Sequence, residues 1–233
     1  YDNPKEIETY VTEDQGYIPS SRTAYELVKG KNFLALLGTI ADAGNLYKEN
    51  DSFIAKILKE LNLTLEKFQE NYSHVFSDTL VYFEKSPQKT FDLFSKISSL
   101  EEISKLKKYA NKIEEEIKKT VQEAKEGSEK ISGINFYSIN PKYKIKGIVA
   151  AIISRENTKE PHIFFSTKSS NSKFLGISAR HNSDSADLPK LLEAGTKNLE
   201  DSISGGHPRA SGGQILAKDL EKFKQNVKDY MKK

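Results

Sequence analysis

Apolar residues change their spacing near residue 130 of this 233-residue chain. Before that point they recur at helical intervals, most clearly at Leu100, Ile103, Leu106, Ala110, Ile113, Ile117, Val121 and Ala124. This pattern predicts one long helix over residues 99–126, and its narrow apolar stripe is typical of a solvated connector between domains. A coiled-coil contact with a partner is the alternative interpretation. After Gly133, β-branched and aromatic runs separated by polar turns indicate strands.

These changes predict three parts, namely residues 1–98, a connector helix at 99–130 and an α+β domain at 131–233. Within the last part, strands are predicted in the segments KIKGIVAAIISRE, HIFFSTKSS and KFLGISAR. Helices are predicted near residues 187–198 and 213–231. In the first part, the segment FLALLGTIADAG is apolar almost all round, so we expect a helix that is buried on every side.

The composition excludes several classes of protein. No apolar run approaches the ~20 residues that a membrane-spanning helix needs, so we expect a soluble protein with no membrane partner. The absence of cysteine rules out disulfides and thiolate metal sites, and it favours a cytoplasmic location. A net charge of +3 is too small to attract nucleic acid by itself, so binding would need a local patch. The first residue is Tyr1 rather than Met, which indicates that sequence upstream was removed or omitted.

The segment GGHPRASGG at residues 205–213 carries the clearest chemical signal. Two pairs of glycines flank His207 and Arg209. Glycine allows a backbone to approach a ligand closely, and histidine and arginine donate hydrogen bonds to phosphate or sugar oxygens. The segment therefore predicts a loop that holds an anion, although a flexible surface turn is the alternative.

Two further features carry positive charge. Arg180 ends the predicted strand ISAR, where a guanidinium could bind a phosphate with two parallel hydrogen bonds. A surface salt bridge is the alternative. Lys142, Lys144 and Lys146 alternate along a predicted strand and would form one basic edge with Tyr143, unless they are simply a solvated face.

The order of these motifs resembles a known family. ISAR at 177–180, a polar stretch, a helix and then GGHPRASGGQI are similar to the C-terminal DHH-associated domain of the DHH phosphoesterase superfamily. YDNP at 1–4 and LLGTIADAG at 36–44 resemble, more loosely, segments of RecJ-type members. The resemblance is strong over 131–233 and loose over 1–50, and it does not extend to residues 51–98.

The resemblance implies an α/β and α+β fold. Residues 1–98 would be a mostly helical, partial DHH-like domain, and residues 131–233 would be a DHH-associated domain with a small mixed sheet that binds nucleic acid. In that family the C-terminal domain closes over the substrate. The implied nucleic-acid or phosphate ligands are Ser178, Arg180, Gly205, Gly206, His207 and Arg209.

The catalytic part of the family pattern is missing from the sequence. The superfamily binds two divalent metal ions through several aspartates and an Asp-His-His run, and this chain has no such run. Its four histidines, His74, His162, His181 and His207, are scattered singly. We therefore expect no catalytic residue and no cofactor in this chain. The resemblance makes Asp42 a vestigial metal ligand at most, and a helix-terminal carboxylate is the alternative.

The resemblance favours a non-catalytic, RecJ-like protein that binds single-stranded DNA or RNA as a replication or repair accessory factor. It is closest to archaeal RecJ-like proteins that associate with the GINS complex, so a GINS-type complex or another protein would be the partner. The alternative is the C-terminal piece of an active single-strand exonuclease or oligonucleotide phosphoesterase, whose Mn or Mg site would lie upstream. The related domain of alanyl-tRNA synthetases is disfavoured by the segment GTIAD.

Overall fold

The computed structural model describes residues 16–167, 172–182 and 187–232. The YDNP motif and the end of the predicted strand HIFFSTKSS lie outside the described residues. The chain divides into two compact units between Ile113 and Glu114. In the described part of the chain, no helix is both long enough and apolar enough to cross a bilayer.

The N-terminal unit is helical. Its helices are α1 (Ser20–Val28), α2 (Asn32–Ala41), α3 (Asp51–Leu61), α4 (Leu65–Phe68), α5 (His74–Tyr82), α6 (Pro87–Lys96), α7 (Leu100–Ser104) and the start of α8 (Lys107–Glu126). Leu36 and Leu37 of α2 are fully buried, and so is most of that helix. The predicted buried helix is therefore confirmed over most of its length, although its last residue, Ala41, is exposed, and α2 contributes five residues to this core.

The single helix predicted over 99–126 is wrong in one detail, because the chain turns between α7 and α8. The amide of Leu106 donates to the carbonyl of Ile103, and the amide of Tyr109 donates to the carbonyl of Leu106. These three-residue bonds tighten the backbone, and both Ile103 and Leu106 are buried in the core. Core packing thus overrides the regular helical spacing of the sequence.

The C-terminal unit is built on one six-stranded sheet. Its strands are β1 (Glu129–Ile131), β2 (Ile134–Ser138), β3 (His162–Thr167), β4 (Phe174–Arg180), β5 (Ile203–His207) and β6 (Ala210–Leu216), in the spatial order β1-β2-β3-β4-β6-β5. Strands β2 and β3 are parallel and every other pair is antiparallel, so the sheet is mixed. The helices are α9 (Lys146–Glu156), α10 (Leu188–Thr196) and α11 (Leu220–Tyr230).

The two faces of the sheet are covered differently. One face presents Ile163, Phe165 and Ile177 to α10 and α11, whose Leu191 and Phe223 are buried in the same core. Helix α9 packs on β3 and β4 from the other face. Strand β5 at the sheet edge is exposed along its whole length. This asymmetry leaves part of one face open beside α9.

The predicted strand KIKGIVAAIISRE is wrong, because residues 146–156 form α9. A continuous apolar run fits a buried helix as well as a strand, so its spacing alone does not distinguish them. The topology does, because parallel strands such as β2 and β3 need a crossover connection, usually a helix. Lys142 and Lys144 therefore lie in a loop, and Lys146 is the first residue of α9, so the predicted basic strand edge does not exist.

The helix predicted from Gly213 is also wrong at its start, because residues 210–216 form β6 and α11 begins only at Leu220. The GGHPRASGG segment was predicted to be a loop, but it forms an antiparallel hairpin of β5 and β6. Glycine has a low strand propensity. Pairing with β4 on one side and β5 on the other stabilises β6 as a strand.

Candidate nucleic-acid interface

The glycine-rich hairpin has positions where a side chain does not fit, and Gly206 is one of them. Gly206 has a φ of 138°, and a Cβ there would come within 2.6 Å of the Cα of Ser211 on the paired strand. At Gly205 a Cβ would have no atom within 4 Å, so that position faces open space. Pro208 and Arg209 form the turn between the strands. The two adjacent glycines therefore have different roles, one in folding and one at the surface.

The register of the sheet brings distant candidate residues into one row. Arg180 of β4 pairs with Ala210 of β6, and Ala210 pairs with His207 of β5. Paired residues share a face, so Arg180 and His207 point to the same side across the small Ala210. They lie two strand spacings apart, which is about 10 Å. We call these three residues the His–Arg row.

A second row of small residues runs beside the first. Ser178 pairs with Gly212, and Gly212 pairs with Gly205, all on the same face as the His–Arg row. Two residues further along β4, Gly176 continues this surface. We call Gly176, Ser178, Gly205 and Gly212 the small-residue floor. Three of the four lack side chains, so the floor presents mostly backbone, and it permits a close approach of a ligand at Gly205, where a Cβ would meet no atom within 4 Å.

Arg180 is held at the edge of this surface. Its Nη1 donates to the carbonyl of Ala179 at 2.8 Å, and its Nη2 lies 3.9 Å from the position of a Cβ on Gly147 in the first turn of α9. Burial lowers the pKa of this half-buried guanidinium. A cation that has lost part of its hydration gains more from an incoming anion than a fully solvated one does. The position is therefore suited to a phosphate group.

The remaining predicted ligands fall into two groups. His207 is exposed at the end of β5, and Ser178 is buried within the floor. Arg209 lies in the turn, outside the rows, and its carbonyl accepts a hydrogen bond from the amide of His181. The structure thus brings Arg180, His207, Ser178 and Gly205 together, and it places Arg209 at the margin.

Sequence reasoning did not place Lys146 or Gln214 at this site. They line an open cleft of about 410 Å³ at the far end of the floor, together with Gly176, Ile203, Ser204, Gly205, Gly212 and Gly213. The Nζ of Lys146 lies 3.0 Å from the position of a Cβ on Gly176. If residues 146–156 had been predicted as a crossover helix, Lys146 could have been placed near this site, because the first turn of that helix lies over the sheet.

Two of the four histidines, His162 and His181, are buried in the structure. His162 is buried, and its Nε2 lies 2.7 Å from the carbonyl oxygen of Asn157. A carbonyl only accepts, so Nε2 carries the proton and Nδ1 accepts from the hydroxyl of Tyr137 at 2.9 Å. Burial lowers the pKa of His162, which keeps the ring neutral. His181 is also fully buried. Neither ring faces the small-residue floor as an exposed ligand.

Asp42 immediately follows α2 in the N-terminal unit and is exposed. Its carboxylate accepts a hydrogen bond from the hydroxyl of Tyr17, and this bond, with smaller contributions from burial and the Asp42 charge, raises the pKa of Tyr17 to about 12. In residues 16–167, 172–182 and 187–232, no three His, Asp or Glu side chains are grouped to hold a metal ion. Asp42 is therefore helix-terminal in the structure, and its vestigial metal role stays a prediction.

The sequence of most of the C-terminal unit matches a known domain family. Residues 134–233 match the DHHA1 domain. This match includes the whole His–Arg row and the small-residue floor. It agrees with the resemblance that the motifs ISAR and GGHPRASGGQI indicated. No curated protein matches the sequence.

Solved structures extend the similarity to the fold of most of the chain. RecJ from Thermus thermophilus in complex with Mg²⁺ has 15% identity and a TM-score of 0.62, over 89% of this chain and 36% of that one. Exonuclease RecJ bound to manganese has 14% identity and a TM-score of 0.62, over 90% and 58%. A DHH domain from a protein described as belonging to a family of ribosomal proteins has 14% identity and a TM-score of 0.60, over 85% and 49%.

At this level of identity the likeness shows the fold. The predicted fold class, a helical part followed by an α+β part with a mixed sheet, is confirmed by the match to RecJ. The chain spans 36% to 58% of the length of these solved structures. Residues 134–233 thus match the DHHA1 domain, and most of the chain has a RecJ-like fold.

Proposed function

We propose that this chain binds single-stranded nucleic acid through its DHHA1-like unit and does not cleave the strand. The backbone phosphates lie along the His–Arg row, where Arg180 and His207 point to the same side of the sheet. This shared row is the observation that carries the proposal. The ligand class of these residues comes from the resemblance and the DHHA1 match.

The chemistry of the surface favours a phosphodiester backbone. Arg180 supplies a permanent charge with planar donors, and His207 supplies a second donor about 10 Å away. The small-residue floor between them and the cleft has few side chains to hinder a flexible chain of sugars and phosphates. With only two such groups the affinity should be weak, and it should fall as salt rises because bound counterions are released.

The non-catalytic part of the proposal is supported by the sequence. Two-metal hydrolysis of a phosphodiester needs a set of carboxylate and histidine ligands that hold both ions. The 233 residues contain no Asp-His-His run, and Asp42 alone would offer a single carboxylate. Binding without cleavage is therefore the activity that these residues support best.

A second candidate is a DHH phosphoesterase of which this chain is a part. The observation in its favour is the similarity in fold to RecJ structures that contain Mg²⁺ or manganese, of which this chain spans 34% to 58%. In that case residues outside this sequence would supply the metal ligands. The groove formed by the His–Arg row and the small-residue floor would position the substrate. Both candidates use the same groove, so they differ only in whether the bound strand is cut.

The test combines binding and cleavage. The purified chain should bind a fluorescent oligo-dT weakly, and it should release no nucleotides when Mn²⁺ is added. The double variant Arg180→Gln with His207→Gln should bind at least about 100-fold more weakly, since two lost charge-assisted hydrogen bonds at about 1.5–3 kcal/mol each amount to about 3–6 kcal/mol. It should also reduce the slope of affinity against salt by about 0.7 per lost phosphate contact.

Arg155→Gln is the matched control, because Arg155 is an exposed arginine at the other end of α9. It should change neither affinity nor slope. Metal-dependent cleavage by this chain alone would contradict the proposal. So would equal affinities of the double variant and the wild type.

The proposal includes association with a GINS-type replication complex, for which the resemblance to archaeal RecJ-like proteins is the support. Purified GINS subunits mixed with the chain should co-elute with it in size-exclusion chromatography. Separate elution at micromolar concentrations would remove this part and leave the binding of nucleic acid unaffected.

A further inference from the structure

The small-residue floor extends well beyond the His–Arg row. Four residues along β4 from Arg180 it reaches Gly176, which pairs with Gln214, and Gln214 pairs with Ile203. At about 3.3 Å per residue, this second row lies about 13 Å from the first. The groove therefore has two ends with different chemistry.

The cleft at the second end is suited to a flat, partly polar group. Its base is the peptide backbone of Gly205 and Gly212, and nothing within 4 Å would hinder a group above Gly205. Ile203 forms an apolar wall and is 67% exposed. Gln214 contributes an amide, which carries one acceptor and two donors. The volume of about 410 Å³ is within the range of small-molecule sites.

We propose that this cleft holds a nucleobase of the bound strand, with the ring against Ile203 and the glycine backbone and the Gln214 amide hydrogen-bonded to its edge. The inference depends on the proposed function, because the same strand places its phosphates at the His–Arg row. It makes Gln214 and Ile203 the residues that recognise the base.

A second phosphate site is the less favourable occupant. Among the described residues that line this cleft, Lys146 is the one cationic side chain, and Ile203 and Gln214 contribute an apolar side chain and a neutral amide. An apolar wall makes no favourable interaction with a phosphate, whereas a base is stabilised by contact of its ring face with apolar side chains. The amide of glutamine also matches the paired donor and acceptor on base edges, most notably those of adenine.

The experiment compares oligonucleotides with and without bases. The probes are dA5, dC5, dT5 and the matching five-unit abasic strand with tetrahydrofuran residues, each at the same salt concentration. The wild-type chain should bind at least one of the base-containing strands tenfold or more tightly than the abasic strand. Gln214→Leu should reduce that preference about fivefold or more, and it should leave the abasic affinity and its salt dependence unchanged.

Two further variants keep the test informative. Ile203→Ser changes the apolar wall on the exposed edge strand, where a folding defect is not expected, and it should also weaken binding of the base-containing strands alone. Gln225→Leu is the matched control, since Gln225 is an exposed glutamine on α11. It should have no effect on any probe. Thermal unfolding of each variant confirms that the fold is intact.

The outcomes separate this inference from the proposed function. Equal affinity of the wild type for abasic and base-containing strands would overturn the base site and leave the phosphate row standing. An unchanged preference in both Gln214→Leu and Ile203→Ser would overturn it as well. Failure of the wild type to bind any of the four probes would overturn both the proposed function and this inference.

Discussion

Alanine at Gly205 and alanine at Gly206 should have opposite consequences, although the two residues are neighbours in β5. At Gly206 the φ of 138° lies in a region that residues with a side chain rarely adopt, and the new Cβ would lie 2.6 Å from the Cα of Ser211. Ser211 belongs to β6, which is paired on both sides and cannot easily move. At Gly205 the same methyl group would meet nothing.

The expected magnitudes follow from these surroundings. A side chain forced into such a backbone conformation costs about 1–3 kcal/mol. At roughly 4 °C per kcal/mol for a unit of this size, Gly206→Ala should lower the unfolding midpoint by about 4–12 °C. Gly205→Ala should leave stability unchanged or raise it by up to about 1 kcal/mol, because alanine restricts the unfolded chain. Its methyl group would, however, stand on the small-residue floor and hold a bound strand away.

The assay measures both properties on each variant. Thermal unfolding followed by circular dichroism gives stability, and fluorescence anisotropy with oligo-dT gives affinity. We expect Gly205→Ala to bind at least tenfold more weakly while it unfolds like the wild type. Gly30→Ala is the control, because a Cβ at Gly30 in the N-terminal unit also meets no atom within 4 Å. Wild-type affinity of Gly205→Ala would refute the location of the strand, and wild-type stability of Gly206→Ala would refute the backbone argument.

Two further predictions concern stability. Asn50 is fully buried and donates to the carbonyls of Tyr17 and Gly44, both at 2.9 Å. Asn50→Leu should therefore cost at least about 2 kcal/mol in urea unfolding, and a smaller loss would show that these bonds contribute little. Burial lowers the pKa of His162, so the unfolded chain binds its proton more tightly. Stability should thus fall as the pH drops below about 6.5, and it should fall less in His162→Gln; identical pH profiles would contradict this.

The strands that sequence analysis predicted correctly are those rich in β-branched and aromatic residues. HIFFST forms β3, and FLGISAR forms β4 and ends at Arg180 as expected. The buried helix α2 was also predicted, because its apolar residues surround the helix. In each of these segments the local preference and the tertiary environment agree, which is the condition under which a sequence pattern is informative.

The errors occur where tertiary pairing decides the structure. Helix α9 has an apolar run that suits a strand, and only its place between two parallel strands requires a helix. Strand β6 begins with Ala210, Ser211, Gly212 and Gly213, which have little intrinsic preference for a strand. Its neighbours β4 and β5 satisfy its backbone hydrogen bonds. No local signal in the sequence reports these neighbours.

The same pairing explains why the GGHPRASGG motif contains more residues than a ligand site needs. A slip of one residue between β5 and β6 would turn His207 to the opposite face of the sheet, away from Arg180. The register is held by the close approach of Gly206 to Ser211 and by the Ser211 hydroxyl, which donates to the carbonyl of His207 at 2.9 Å. Gly206 and Ser211 thus position the hairpin, and Gly205 and His207 remain to face a ligand. The motif therefore fixes the pairing of β5 with β6 as well as supplying ligand residues. A variant that shifts this pairing should lose binding even though Arg180, His207 and Gly205 are unchanged.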